Sequence, residues 1–415
     1  MKKLLSLITF TLVLLSMAGC ENDTPVSMED NPYNPIVLTS EQEAMVSSGN
    51  QFALKLLAAV DAKTDDSYIV SPLGLQFILG MLLDGADGQT AQEICEVLGY
   101  GKDEAAAVSA LCGRLIRELP ELDKLTQVSS VRSVLTAPSL KLKTEYVSSV
   151  SETYKALFEQ VDFSETSAVR EKVNNWCSKN TNGMIKEMLL KEDETWLSSV
   201  CAMFMDALWF KGVWTDKFDK SATASGPFTK ADGTRTSVKY MKKTANFRCD
   251  PSLDGTGGYL SLPYGNGAYS MVIALPVADK TPKDLIRTLT QRGRLPKPGF
   301  PGIRTEVWLP RFEIEHKAEY QDIMNALGMI SAFSPTANFS RMTDAKISLS
   351  RILQKAVIKV DESGTEAAAV TIATMEAAGM GLPSKYVFHA DHPFFFFITE
   401  NSTGAILFAG KYCGK

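Results

Sequence analysis

Apolar positions recur at helical spacing through the first part of the chain and in alternation or short solid runs through the second. Ser40-Glu41-Gln42-Glu43 reads as a capping box opening a helix, and Phe52, Leu56 and Val60 keep the i, i+4 spacing of a buried face. Ser71-Pro72 sets an N-cap before a first-turn proline, and the apolar helix that follows runs to Gly85. Thr90-Ala91-Gln92-Glu93 reads as a second capping box, starting a short helix that Gly99 ends. Residues 103–119 form a further helix stopped by Pro120, with two more near 144–158 and 168–180. Strand-like runs then dominate, at 201–210, 269–276, 305–309, 352–361, 394–399 and 405–409. Helices gather early and strands late, without βαβ alternation, which predicts an α+β fold of large, mainly antiparallel sheets covered by helices. No repeat and no second linker interrupts this pattern, so residues 42–415 read as one domain.

The two ends of the 362–384 stretch follow and precede strong strands, yet the stretch is too long for a tight connection. Read with period two, Thr365, Ala367, Ala369, Thr371, Ala373, Met375 and Ala377 share one face, all small or uncharged. Glu366 and Glu376 fall on the other face. A solvated loop has no reason to respect this alternation, whereas a strand with one buried face does. Proline, which would remove a ladder N–H, is absent until Pro383. The loop therefore reads as a segment able to become a strand; an Ala-rich surface loop or short helix is the plainer alternative.

Composition adds limits. The 415 residues are 45% hydrophobic, enough to bury a sizeable core. The net charge of -5 offers no concentrated basic face for a phosphate backbone, and the densest basic stretch, Arg292-Gly293-Arg294 with Lys297, reads as a solvated loop. No nucleic-acid partner is expected. Lys2 and Lys3 precede an apolar run at 4–17, too short for a transmembrane helix, so residues 1–19 read as a signal peptide. Ala18-Gly19-Cys20 is similar to a bacterial lipobox, in which Cys20 receives lipid; Met17 stands where leucine is usual. Residues 20–41 read as a polar tether, which places the expected protein on the outer membrane, facing periplasm or exterior. The remaining cysteines show long spacings and no C-x-x-C, so free thiols are expected and neither zinc nor any other cofactor is. His316, His389 and His392 are the only histidines, no G-x-S-x-G or H-E-x-x-H occurs, and Asp254-Gly255-Thr256-Gly257-Gly258 opens no helix. No catalytic set can be assembled, and no enzyme activity is expected.

Glu362-Ser363-Gly364-Thr365-Glu366-Ala367-Ala368-Ala369-Val370 closely resembles the hinge of inhibitory serpins. Phe388-His389-Ala390-Asp391-His392-Pro393-Phe394-Phe395-Phe396-Phe397-Ile398 is similar to the C-terminal signature of that family. Asp206-Ala207-Leu208-Trp209-Phe210-Lys211-Gly212-Val213-Trp214, Tyr68-Ile69-Val70-Ser71-Pro72, Val173-Asn174-Asn175-Trp176 and Leu309-Pro310-Arg311-Phe312 resemble further family blocks, in family order. The resemblance covers roughly 42–411. It implies a serpin fold with three sheets, eight or nine helices and an exposed reactive loop at about 362–384. It also implies a monomer that traps a target serine protease as a covalent acyl complex; a non-inhibitory binding or chaperone module is the alternative.

By the same resemblance, Gly364 and Thr365 enter the main sheet first and Glu362 pairs with Arg311 at its top. Trp214 packs beneath that opening, and Ser71, Gly74, Asp206 and Gln354 occupy the shutter, where relatives usually combine two serines, an Asn and a His. The scissile bond falls at Ala378-Gly379, or at Met380-Gly381 when counted from the other end of the loop. Either suggests elastase-like or subtilisin-like targets, with cysteine proteases still open.

Overall fold

The computed structural model describes residues 30–101, 104–253, 255–277, 279–296, 302–365 and 385–415. The signal peptide, Cys20, the first part of the tether and loop residues 366–384 lie outside the described residues. That stretch includes Glu366, Ala367, Ala368, Ala369, Ala378, Gly379, Met380 and Gly381.

Among the described residues, nine α-helices precede and flank two hydrogen-bonded strand sets, and the class is α+β as expected. The smaller set, the main sheet, has six strands in the order Phe312–Glu319, Leu353–Asp361, Gly364–Thr365, Ala202–Val213, Thr126–Thr136, Ala156–Gln160. The larger set is two sheets joined by one long strand. Arg235–Leu253 pairs along its first half with Ala224–Thr229 and Ile303–Pro310, and near its end with Gly257–Tyr264. Pairing is antiparallel except between Thr126–Thr136 and Ala156–Gln160 and between Ile303–Pro310 and Tyr386–His389.

Local chemistry explains most elements and corrects several. The first helix, Ser40–Asp61, is capped one residue earlier than its sequence suggests. Thr39 accepts from the Gln42 N–H, and Gln42 closes the box, because Ser40 is already helical. Pro72–Gly85 starts on Ser71 as expected. Thr90 and Glu93 cap no helix start, since the helix begins at Gly88. Thr90 is buried against Ser331, and Glu93 accepts from the Ile330 and Ser331 N–H groups. The helix near 144–158 ends at Tyr154, where Lys155 adopts φ 55°, and Ala156–Gln160 departs as a strand.

The expected tether also ends earlier than residue 41. Asn31 is buried and donates to Asp123 Oδ1 at 2.6 Å, while Ile36 N–H donates to Ser402 Oγ at 3.0 Å. Asp123 and Asn266 hold this strap against the 264–268 turn, whose Gly265 N–H donates to the Val213 carbonyl. The six described cysteines are free; Cys201 is half-buried and the others buried. Burial pushes Cys112, Cys177 and Cys249 up to about 12, which makes them inert packing groups.

Candidate functional site

The site lies in the main sheet, where Gly364 and Thr365 form a two-residue strand wedged between two long ones. Gly364 pairs with Asp361 on one side and Val213 on the other; Thr365 pairs with Val360 and Gly212. Only glycine fits at 364, because a Cβ there would stand 2.0 Å from the Gly212 carbonyl oxygen. Thr365 is 1% exposed, and its hydroxyl lies 2.7 Å from Tyr264 OH. Beyond Thr365, among the described residues, no ladder joins Leu353–Asp361 to Ala202–Val213. The two strands flank a slot.

Glu362, Trp214 and Arg311 meet around the top of this slot. Glu362 is buried, accepts from Thr223 Oγ1 at 2.6 Å, and lies 3.5 Å from Arg311 Nε. Arg311 is 41% exposed, so the ion pair is screened and the Thr223 bond is the better-sheltered contact. Trp214 donates through Nε1 to the Asp361 carbonyl at 2.8 Å and through its N–H to Ser363 O at 2.9 Å. Its ring stacks on Tyr264 with centroids 4.4 Å apart. Tyr264 thus links the tryptophan to Thr365, with burial holding its phenol far above the ordinary range and so protonated. Sequence reasoning missed Tyr264 and Thr223, neither of which sits in a block that stood out.

Lower in the slot, a cavity of about 380 Å³ opens between residues 202–207 and 352–355, under Val173, Trp176 and Cys177 of helix Thr166–Asn180. Gly74, Asp206 and Gln354 line it, but the shutter does not form one Ser–Asp–Gln hydrogen-bond set. Ser71 and Gln354 meet through the backbone: Ser71 N–H donates to Gln354 Oε1, and Gln354 Nε2 donates to Ser71 O, both at 2.8 Å. The Ser71 hydroxyl is spent on Leu407 O and the Gly74 N–H.

Asp206 turns instead to Arg132, directly opposite it across the ladder, at 3.2 Å from Nη1. Arg132 also donates to Ser130 Oγ, Ser130 O and Tyr154 O, and lies over the Phe77 ring. Both side chains are nearly sealed from water. Burial pushes Asp206 up to about 6 despite the guanidinium, and lowers Arg132 from its usual value. Sequence reasoning did not single out Arg132. The overlooked signal was Asp206 itself, which shares inward parity with Leu208 and Phe210 and so demands a buried partner.

The histidines are structural: His316 bonds to Ile69 O, and His392 sits between Asp391 and Pro276 O. Among the described residues, no group of three metal-ligating side chains occurs.

A family model described as serpin (serine protease inhibitor) matches residues 47–414. The chain belongs to the serpin family. It is 31% identical over 391 residues to serpin-Z2B of Triticum aestivum, covering 90% of this chain and 97% of that one. Plasminogen activator inhibitor 1 of Neovison vison is likewise 31% identical, over 87% of this chain and 90% of its own. Among solved structures, the thermophilic serpin tengpin in its native state superposes with a TM-score of 0.81 at 25% identity, covering 94% of this chain and 98% of that one. Serpins as a family are protease inhibitors, and this serpin has the family fold.

Proposed function

We propose that this protein is a suicide-substrate inhibitor of serine proteases with elastase-like or subtilisin-like specificity. The observation that carries the reading is the slot itself: two strands held apart, with Gly364–Thr365 already paired to both at its top. The target serine attacks a carbonyl in the 362–384 loop, forming an ester to the serine oxygen as the peptide C–N bond breaks. The released amine leaves with a proton. The cut loop then slides into the slot before water reaches the ester, which leaves the protease tethered and distorted at the far end.

Continuing both ladders in step puts Ala367, Ala369, Thr371, Ala373 and Met375 on the buried face shared with Thr365. Met375 comes opposite Ala202, where that flanking strand begins, and Glu366 falls on the outer face between Lys211 and Lys359. From Thr365 to Ala378 the inserted strand spans roughly 46 Å at ~3.3 Å per residue.

The test is to mix the protein with pancreatic elastase and subtilisin, run denaturing gels, and sequence the peptide set free. The expected result is a complex that survives denaturant and a peptide beginning at Gly379 or Gly381. Clean cleavage with no complex across serine and cysteine proteases would favour a non-inhibitory binding module.

The anchoring reading is also ours: Cys20 carries lipid, and a monomer faces periplasm or exterior from the outer membrane. Ala18-Gly19-Cys20 supports it. Cells fed labelled palmitate should yield a labelled protein in the outer-membrane fraction, and Cys20→Ser should lose the label and leave that fraction. Label retained in Cys20→Ser sinks the assignment.

A further inference from the structure

The cavity in the lower slot has a chemistry of its own. Its volume, about 380 Å³, lies within the ~300–1,000 Å³ usual for small-molecule sites. Trp176 of helix Thr166–Asn180 and Trp196 of helix Glu194–Leu197 line it, together with Met188, Met203 and Met205. Protein interiors are close-packed, so an apolar space of this size gains contacts by being filled. Methionine side chains are unbranched and adaptable, and close around a flexible apolar chain without demanding a fixed shape.

Four charged side chains line the same cavity: Asp206, Lys346, Arg351 and Lys355. Asp206 is neutralised by Arg132. Arg351 lies 2.7 Å from Glu319 and over the Trp196 ring, and Lys355 pairs with Glu315. Lys346 is exposed and makes no ion pair among the described residues; Asp344, two positions before it, is bound to Lys143 instead. Next to Lys346, Ile347 and Leu349 pack half-buried against the core. The cavity therefore joins an apolar wall to one uncommitted cation at the surface. An unbranched aliphatic chain ending in a carboxylate satisfies both, since its tail leaves water while its head stays hydrated beside the ammonium.

We propose that this cavity binds one medium-chain aliphatic carboxylate, with the tail among Trp176, Trp196 and the methionines and the head at Lys346. Resting on the insertion reading above, the occupant also holds back inhibition. Residues 202–207 and 352–355, which border the cavity, belong to the two strands that the cut loop must join. A chain lodged between them has to leave before a strand can enter.

The experiment titrates octanoate, decanoate and dodecanoate into the full-length chain by calorimetry and tryptophan emission, without protease. One saturable site is expected, with affinity rising about fourfold for each added methylene and a negative heat-capacity change. Lys346→Glu, an exposed substitution, should weaken dodecanoate about fivefold and leave dodecanol within twofold of wild type. Cys201 lines the cavity and is half-buried, so bound dodecanoate should slow its alkylation by iodoacetamide, followed by peptide mass spectrometry. Absence of saturable binding, many equivalent weak sites, unchanged dodecanoate affinity in Lys346→Glu, or an unchanged Cys201 rate each overturns the site. Saturating dodecanoate should then lower the yield of denaturant-stable elastase complex several-fold, with elastase turnover of a peptide substrate followed alongside. An unchanged yield overturns the competition with insertion. If the carboxylates bind as described but no complex forms even in their absence, the site stands and the inhibitory reading falls.

Discussion

Under the proposed inhibitory reading, Thr365→Arg should turn the protein into a plain substrate: the loop should still be cut, but denaturant-stable complexes should all but vanish. Thr365 is buried with its hydroxyl on Tyr264, between Val360 and Gly212. The Arg311–Glu362 pair at the rim of the slot is screened. An arginine at this position puts a guanidinium into a sealed site beside Tyr264, at a cost of several kcal/mol. Insertion competes with hydrolysis of the acyl ester, and each ~1.4 kcal/mol added to the insertion barrier moves the partition tenfold toward hydrolysis. The measurement is the fraction of elastase recovered as complex on a denaturing gel. A yield within twofold of wild type would show that insertion does not begin at Thr365. Thr365→Val keeps shape and burial and loses only the Tyr264 bond, so it should keep most of the complex; that contrast separates charge from packing.

The second large effect is on stability. Arg132→Leu leaves Asp206 as a sealed, unpaired carboxylate and strands the acceptors at Ser130 O and Tyr154 O. Removing one partner of a buried ion pair costs about 3–5 kcal/mol, enough to lower the unfolding midpoint of the uncut protein by several degrees. The double variant Arg132→Leu with Asp206→Asn removes the orphaned charge and should regain a large part of that loss. Chemical denaturation of the single and double variants gives the comparison. Equal destabilisation in both would mean that the guanidinium acts through packing on Phe77 and not through the charge. The pair also has a sign in pH. Because Asp206 is raised above the ordinary carboxylate value, its contribution to stability is fully present in acid and is lost as pH rises through about 6.

How much of this was legible beforehand depended on how each strand meets water. Tyr269–Pro276 and Phe394–Glu400 are buried on both faces and read as solid apolar runs. Phe312–Glu319 alternates Phe312, Ile314 and half-buried His316 with charged residues at a sheet edge, and its charges masked its period. Arg235–Leu253 is rich in Lys and Thr on its exposed side and was passed over for the same reason. Capping chemistry located Pro72–Gly85 but misled at Thr90 and Glu93, where tertiary partners claim the side chains that a local reading assigns to a cap. At the site, the alternation of the loop pointed to a strand in waiting, and Gly364 and Thr365 stand at the head of a slot that would receive it. The shutter was legible by position only. Which of its groups bond to one another depends on Arg132, 74 positions before Asp206 in sequence and opposite it in the sheet.

The strap at Asn31 fixes where a leash would be tied. Ten residues separate it from Cys20, a reach of at most about 35 Å when fully extended. Asn31 is fastened beside the 264–268 turn, which is itself bonded to Val213 at the end of the slot where insertion starts. A lipid-held copy would therefore present its bait at the end nearest its own mooring. A protease caught there would be hauled some 46 Å along the sheet, at ~3.3 Å per inserted residue, away from the point of attachment. Capture at the cell surface would then also be removal, with the attacker shifted outward from the envelope it came to digest.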